Sequence, residues 1–255
     1  MAASAATGVT GPELFARFAY PPNLLGYCGP SDGTLLGELV RAGREASDDL
    51  RRVAGEFAGA WPYLELIGAI AERDPLDATV VEAYWIGHPL LSRMDKGTWG
   101  NSVDERFRRR AGWEWPQLSE AIARGGVPNH AFHVFCIYPW VGLLRSGATD
   151  QALHVLDRCR IRWGRVVSVS DGAMEVRSQR LNWDGRNLAL GAPRTEIVER
   201  GVGSEFSSGD DVALHWDYAC GRLSSTRLGR LRRWHNHHLA IANAGARELG
   251  RQLEN

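Results

Sequence analysis

Lysine is almost absent from this chain: Lys96 is the only one, and arginine supplies the rest of the 30 basic residues. A single lysine argues against covalent catalysis through a lysine amine. The basic residues are matched by 30 acidic ones, so the formal net charge is zero. Because a nucleic-acid-binding protein usually needs a basic face, this balance argues against nucleic acid as a partner.

Cysteine is also scarce, and no two of the 4 cysteines form a CxxC pair. This spacing argues against a disulfide framework and against a zinc site built from paired cysteines. Cys28 lies in the turn Gly26–Pro30, which would expose its thiol as a reactive group or a metal ligand. The same residues also fit a turn without a chemical role. Cys220 is interpreted as a packing residue.

Long apolar runs are missing, and none approaches the roughly 18 residues that a membrane-spanning helix needs. Residues 1–15 are small and polar, without the basic and apolar regions of a secretory signal. These absences predict a cytoplasmic protein with no membrane partner. The chain also lacks GxSxG, HExxH, P-loop and GxGxxG motifs, so no catalytic residue is assigned.

The first half of the chain has mostly helical apolar spacing, broken by segments rich in glycine and proline. It predicts an α-helical domain over residues 1–150. The predicted helices cover residues 32–50, 50–71, 77–86, 113–124, 129–144 and 150–156. Pro62 suggests a break or kink in the second of them.

The second half changes to short, partly alternating segments separated by Asp-Gly turns. Five such strands predict a small closed β-barrel, of the OB or SH3-like kind, over residues 157–222. A long helix that opens near Ser224 completes the chain at 223–255, so the predicted class is α+β. The predicted strands cover residues 162–170, 173–178, 187–190, 195–199 and 211–216.

The helical half contains one metal-binding candidate. His130, His133 and Cys136 are spaced three apart and would share one face of a helix. Such a set could bind a metal or a haem. The alternative is a buried aromatic helix, because Phe132 and Phe135 are interleaved with these residues.

Several other polar side chains have a plain structural interpretation. Glu65 and Glu82 occur within apolar stretches and could be buried carboxylates, but positions on helix surfaces are the favoured prediction. His235, His237 and His238 occur on a basic helix and are predicted to be solvated.

Two segments of the second half resemble one known family. Cys159 to Val167 (CRIRWGRVV) is similar to the opening strand of the small nickel–iron hydrogenase maturation chaperones, in which a cysteine shortly precedes a glycine and a valine-rich strand. Gly209 to His215 (GDDVALH) is similar to their closing strand, where a Gly-Asp turn leads into an apolar strand that ends on a histidine and is followed by a helix. The resemblance covers residues 159–255 and no part of the helical half.

The resemblance implies a carrier of an iron centre that bears cyanide and carbon monoxide. By position, Cys159 would be the thiolate ligand and His215 a second contact, and both donors suit low-spin iron. Arg158, Arg160 and Arg162 would favour the thiolate if their charges lie near it. The implied partners are the iron–sulfur scaffold protein of hydrogenase assembly and the precursor of the hydrogenase large subunit.

Two positions depart from the family pattern. Cys159 is internal, whereas the family's cysteine follows the initiator methionine, and Trp163 stands where a proline is usual. The chain would therefore be a fused or divergent relative. An alternative function is an enzyme or a metal- or haem-binding protein whose helical half makes or modifies a small ligand for metallocentre assembly, with Cys28 contributing. A third is an interaction module whose barrel has lost the chemistry.

Overall fold

The structure is a computed structural model, and it describes residues 9–42, 47–95, 97–102, 115–137, 140–145, 147 and 149–253. Its first half is helical, as the apolar spacing predicts. The α-helices there are α1 (Gly11–Leu24), α2 (Leu35–Ala42), α3 (Ser47–Gly55), α4 (Trp61–Ala71), α5 (Ala78–Trp85), α6 (Trp115–Ala123), α7 (His130–Phe132), α8 (Trp140–Arg145) and α9 (Thr149–Cys159). A 3-10 turn at Pro89–Arg93 follows α5, and a π-helical segment at His133–Ile137 continues α7.

Local signals explain where these helices begin. Asp77 caps α5, since its carboxylate accepts a hydrogen bond from the Thr79 amide at 2.8 Å. Pro62 lies in the first turn of α4, where its missing N–H costs nothing. The single helix predicted over 50–71 is therefore interrupted: α3 ends at Gly55 and α4 begins at Trp61.

Seven strands follow: β1 (Arg162–Val169), β2 (Ala173–Ser178), β3 (Leu181–Trp183), β4 (Leu188–Leu190), β5 (Arg194–Arg200), β6 (Asp211–His215) and β7 (Tyr218–Arg222). Five of them close a barrel in the order β1-β2-β5-β7-β6, and β3 pairs with β4 in a separate two-stranded sheet. Only the β5–β7 pairing in the barrel is parallel. The predicted α+β class and the five-stranded closed barrel are confirmed.

The membership of the barrel differs from the prediction. The strand predicted over 187–190 is β4, which pairs with β3 outside the barrel. The fifth barrel strand is β7, whose sequence Tyr-Ala-Cys-Gly-Arg has no β-branched residue to mark it. It follows β6 after only Trp216 and Asp217, and Trp216 adopts a left-handed conformation with φ 55°.

The C-terminal helix α10 (Ser225–Leu253) connects the two halves. Ser224 caps it, because its hydroxyl accepts a hydrogen bond from the Arg227 amide at 3.2 Å. Glu82 of α5 accepts hydrogen bonds from Arg227 and Arg230 and is 8 % exposed. The helix-surface prediction therefore holds for the exposed Glu65 and is wrong for Glu82.

The histidines of α10 also differ from their prediction. His235 and His238 are buried rather than solvated, and His237 is half-buried. The His235 Nε2 accepts a hydrogen bond from Arg160 at 3.1 Å, and the His238 Nε2 accepts one from the Val127 amide at 3.3 Å.

The largest apolar core extends from the helical half into the barrel. It contains Phe15 and Trp85 from the helices. From the barrel it contains Trp163 of β1, Ala213 of β6 and Ile161, which directly precedes β1. The barrel has a second core of its own. Among the described residues, no helix combines the length and the apolar character needed to cross a bilayer.

Candidate metal centre

A cavity of about 150 Å³ lies where the helical half meets the barrel. Five of the six metal-binding candidates from the sequence line it: Cys28, His130, His133, Cys159 and His215. Three of these form a tighter group, because one ligand atom each from His130, Cys159 and His215 lie within 4.8 Å of one another. We call these three residues the triad.

Each triad residue stands at the end of a different element. Cys159 is the last residue of α9, and His215 is the last residue of β6. His130 begins α7 directly after Asn129, whose side chain caps the helix by accepting from the Ala131 amide at 3.0 Å. The same Asn129 amide donates to the Ala83 and Tyr84 carbonyls of α5. A buried network thus fixes the position of His130.

His215 has the hydrogen bonding typical of a metal ligand. Its Nδ1–H donates to the Phe18 carbonyl at 2.6 Å, which assigns the free lone pair to Nε2. Within the described part of the chain, that buried Nε2 has no hydrogen-bond partner. His215 is only 1 % exposed, so the lone pair faces the protein interior.

His130 is also held in a state suited to metal binding. Its Nε2 donates to the Cys159 carbonyl at 2.8 Å, and its Nδ1 lies 3.3 Å from the Tyr84 hydroxyl. Burial lowers the pKa of His130 to about 4, and burial together with the neighbouring His130 lowers the pKa of His215 well below its ordinary value. Both imidazoles are therefore neutral at physiological pH, as metal ligation requires.

The Cys159 thiol is protonated in the metal-free protein. Burial raises its pKa well above the ordinary value, and the nearby Cys28 thiol raises it further. A thiol must lose its proton to bind a metal, so binding at Cys159 would release a proton to solvent.

The arginines around Cys159 do not make it a thiolate. Arg160 donates to Asp157 at 2.9 Å, and Arg162 forms an ion pair with Glu196. Arg158 forms an ion pair with Asp217. The expectation that these three charges favour ionised Cys159 is wrong, because each arginine pairs with a carboxylate and burial controls the pKa of the thiol.

The cavity walls are mostly apolar and aromatic. The Trp85 ring lies 4.7 Å from the His130 ring and 5.6 Å from the His215 ring, measured between centroids. Phe57 and Tyr84 add further aromatic surface, and no carboxylate is among the described lining residues. A site with imidazole and thiol donors and no carboxylate suits a soft or borderline transition metal and not calcium or magnesium.

Tyr27 lines the cavity and is exposed to solvent, so we call this part of the cavity wall the mouth. Tyr27 packs on Trp216 with centroids 4.0 Å apart and planes 23° apart. Tyr27 is 55 % exposed while Trp216 is 3 % exposed, so Tyr27 shields Trp216 from solvent. Cys28, the next residue, is half-buried and lines the cavity, whereas its turn predicted an exposed thiol.

The predicted set of His130, His133 and Cys136 is divided. His133 lines the cavity, and its Nδ1 lies 3.0 Å from the Tyr63 hydroxyl. Cys136 does not line it and packs among apolar side chains instead. The cause is the π-helical segment His133–Ile137, whose wider turn shifts Cys136 off the face that a regular α-helix would give it. Metal binding by Cys136 stays an untested prediction.

Sequence reasoning named all three triad residues but assigned them to two separate sites. It missed Tyr84, Trp85 and Asn129 as parts of one site. Asn129 precedes a helix and carries a recognisable N-cap signal, whereas nothing in the pattern marks the two aromatic residues as cavity walls.

Comparison with known proteins gives one match. The sequence model of a family of unknown function (DUF6390) matches residues 7–248. No curated protein and no solved structure matches the chain. The matched range includes the helical half, the barrel and every residue of the triad. The chain therefore belongs to this family of unknown function (DUF6390).

Proposed function

We propose that this protein is a maturation factor of nickel–iron hydrogenase, which carries an iron fragment with cyanide and carbon monoxide ligands. The observation that carries the proposal is the triad, whose His130, Cys159 and His215 donor atoms converge in one buried cavity. The iron fragment is cargo, bound for delivery to the hydrogenase large subunit.

The donor set supports iron with small external ligands. Two neutral imidazoles and one thiolate occupy one side of a metal and leave the remaining positions to ligands that the protein does not supply. The cavity is smaller than the 300–1,000 Å³ usual for metabolite pockets, and its walls are apolar. Diatomic cyanide and carbon monoxide suit such a space better than a haem or a metabolite does.

The resemblance to the hydrogenase maturation chaperones supports the same proposal. It implies Cys159 and His215 as the contacts to the iron, and these two residues share the cavity. The helical half, which the resemblance does not cover, contributes His130. In this proposal the helical half completes the ligand set of the barrel and shields the cargo from water.

The proposed protein partners follow from the resemblance alone. They are the iron–sulfur scaffold protein of hydrogenase assembly, as donor of the fragment, and the large-subunit precursor, as acceptor. Delivery requires access to the triad, and Tyr27 is an exposed residue of the cavity wall through which that access could open.

Infrared spectroscopy tests the proposal. The protein is co-produced with the scaffold protein, purified without oxygen and scanned where metal-bound cyanide and carbon monoxide absorb. We expect bands in the wild type that vanish in Cys159→Ala, together with loss of hydrogenase activity in the producing cells. Cys220→Ala is the matched control, because its buried thiol does not line the cavity. Absence of bands in the wild type, with hydrogenase activity intact in Cys159→Ala, would overturn the proposal.

A resident-metal enzyme is the second candidate, and the Tyr84 hydroxyl beside His130 favours it. A phenol next to a metal ligand could donate a proton to a bound small molecule. Incubation with the large-subunit precursor separates the two functions. Cargo iron would move to the precursor, whereas a resident metal would remain bound.

A further inference from the structure

Cys28 lies nearer to the solvent than the two histidines of the triad. It follows the exposed Tyr27 in the loop that joins α1 to α2, and its own side chain is half-buried and lines the cavity. His130 and His215 are 5 % and 1 % exposed, so they lie deeper. A metal that enters beside Tyr27 therefore meets the Cys28 thiol before the two imidazoles.

The loop that carries Cys28 is held firmly in place. Asn23, which is 2 % exposed, donates both of its amide hydrogens: one to the Cys28 carbonyl at 2.9 Å and one to the Pro30 carbonyl at 2.7 Å. Gly29 has φ 86°, and a side chain there would collide with the Phe57 ring in the cavity wall. The Cys28 thiol is thus preorganised at the cavity.

Cys28 is close to Cys159 without belonging to the triad. Its ligand atom is not part of the group within 4.8 Å, yet both cysteines line the same cavity. Burial raises the pKa of Cys28 itself to about 12, so it too is a neutral thiol when no metal is present.

We propose that Cys28 is a relay thiol, a transient ligand that passes a soft metal between the mouth of the cavity and the triad. This inference rests on the proposed function, since it describes how the cargo reaches and leaves its site. On loading, the Cys28 sulfur binds the metal and its proton leaves to solvent. The metal–sulfur bond to Cys159 then forms as the bond to Cys28 breaks, and the proton that leaves the Cys159 thiol protonates the Cys28 sulfur. Release follows the reverse order.

Cobalt exchange kinetics test the relay. Co²⁺ alone is the probe, and its loading and its release to a chelator are followed by stopped-flow absorbance in the folded full chain without oxygen. In Cys28→Ala we expect loading and release to slow equally, by about tenfold each. A transient ligand stabilises the state through which the metal passes in both directions, so its loss raises the free-energy barrier to loading and to release by the same amount. The equilibrium Kd and the absorption spectrum of the cobalt complex should stay as in the wild type.

Two further variants make the test specific. Cys136→Ala removes a thiol that does not line the cavity and should leave both rates unchanged. Asn23→Ala releases the loop and should slow both rates without altering the spectrum, as expected of a positioning residue. Unchanged rates in Cys28→Ala would overturn the inference. So would a weaker Kd with an altered spectrum, which would make Cys28 a permanent ligand. These readouts are independent of the infrared bands that test the proposed function.

Discussion

The imidazole of His215 has one satisfied nitrogen and one unsatisfied nitrogen, both inside the protein. An unpaired buried acceptor destabilises a fold by about 1–3 kcal/mol. A bound metal would use that lone pair, and the Phe18 carbonyl already fixes the tautomer that ligation needs. At the scale of single residues, His215 is therefore the side chain whose environment is most easily explained by metal binding.

Metal affinity should depend on pH through the thiol and not through the histidines. The pKa values of His130 and His215 are lowered, so both rings stay neutral from pH 6 to 8.5, while Cys159 stays protonated until the metal displaces its proton. We expect the affinity for Co²⁺ to rise about tenfold per pH unit across this range. Anaerobic titrations at three pH values check the slope. A curve that steepens below pH 6.5 would mean that the imidazoles titrate with ordinary pKa values.

At the scale of elements, the site depends on where three of them end. The last residue of α9, the last residue of β6 and the first residue of α7 meet at one point, and the α10 helix keeps the two halves together. Small errors in the packing of these elements would separate the donor atoms by more than a metal can bridge.

Gly164 tests the packing of the barrel. A methyl group there would meet the buried Val176 side chain at an impossible distance, so we expect Gly164→Ala to lower the free energy of unfolding by about 1–3 kcal/mol. Gly229, exposed in the interior of α10, has nothing within 4 Å of an added methyl. Gly229→Ala should raise the free energy of unfolding by about 0.5–1 kcal/mol, because alanine favours helix. Denaturant unfolding measures both, and equal effects would contradict the described packing.

Glu82 tests the attachment of α10 to α5. Its carboxylate accepts hydrogen bonds from Arg227 and Arg230 at a mostly buried position. We expect Glu82→Gln to lower the free energy of unfolding by about 1–3 kcal/mol. Glu65→Gln, at an exposed position where the carboxylate accepts from the Trp61 indole, should change it by less than about 0.5 kcal/mol. Similar losses in the two variants would show that the Glu82 contacts contribute little.

The sequence predicted what local patterns encode. The helix over 77–86, the break at Pro62 and the strand at 173–178 follow from apolar spacing, proline sterics and alternation, and the structure has all three. Strand β7 was missed because its five residues include no β-branched side chain. The triad was only partly foreseen: His130 and Cys159 are far apart in sequence, and no local rule reports that α7 and α9 meet.

At the scale of the whole molecule, four of the buried histidines among the described residues have a lowered pKa: His130, His215, His235 and His238. Burial lowers the pKa of each, to about 4 for His130 and about 3 for His235. The folded protein therefore binds fewer protons than the unfolded chain once the pH falls below about 6.5, the ordinary histidine value. Stability should then decrease as the pH falls from 6.5 toward 4.

Denaturant unfolding at a series of pH values checks this expectation. Each histidine should contribute up to about 1.4 kcal/mol of lost stability per pH unit within that window. His235→Gln should reduce the loss of stability between pH 6.5 and pH 4 by the contribution of one histidine. His235 suits this test because it lies against Arg160 and does not line the cavity. A free energy of unfolding that is constant from pH 7 to pH 5 would contradict the burial of these rings as neutral groups.

Anaerobic ferrous-ion binding tests the proposal that the helical half and the barrel share one metal site. We expect one Fe²⁺ per chain and a loss of affinity of at least about a hundredfold in each of His130→Ala, Cys159→Ala and His215→Ala. Wild-type affinity in His130→Ala, with binding lost in Cys159→Ala, would place the metal on the barrel alone and overturn the shared site.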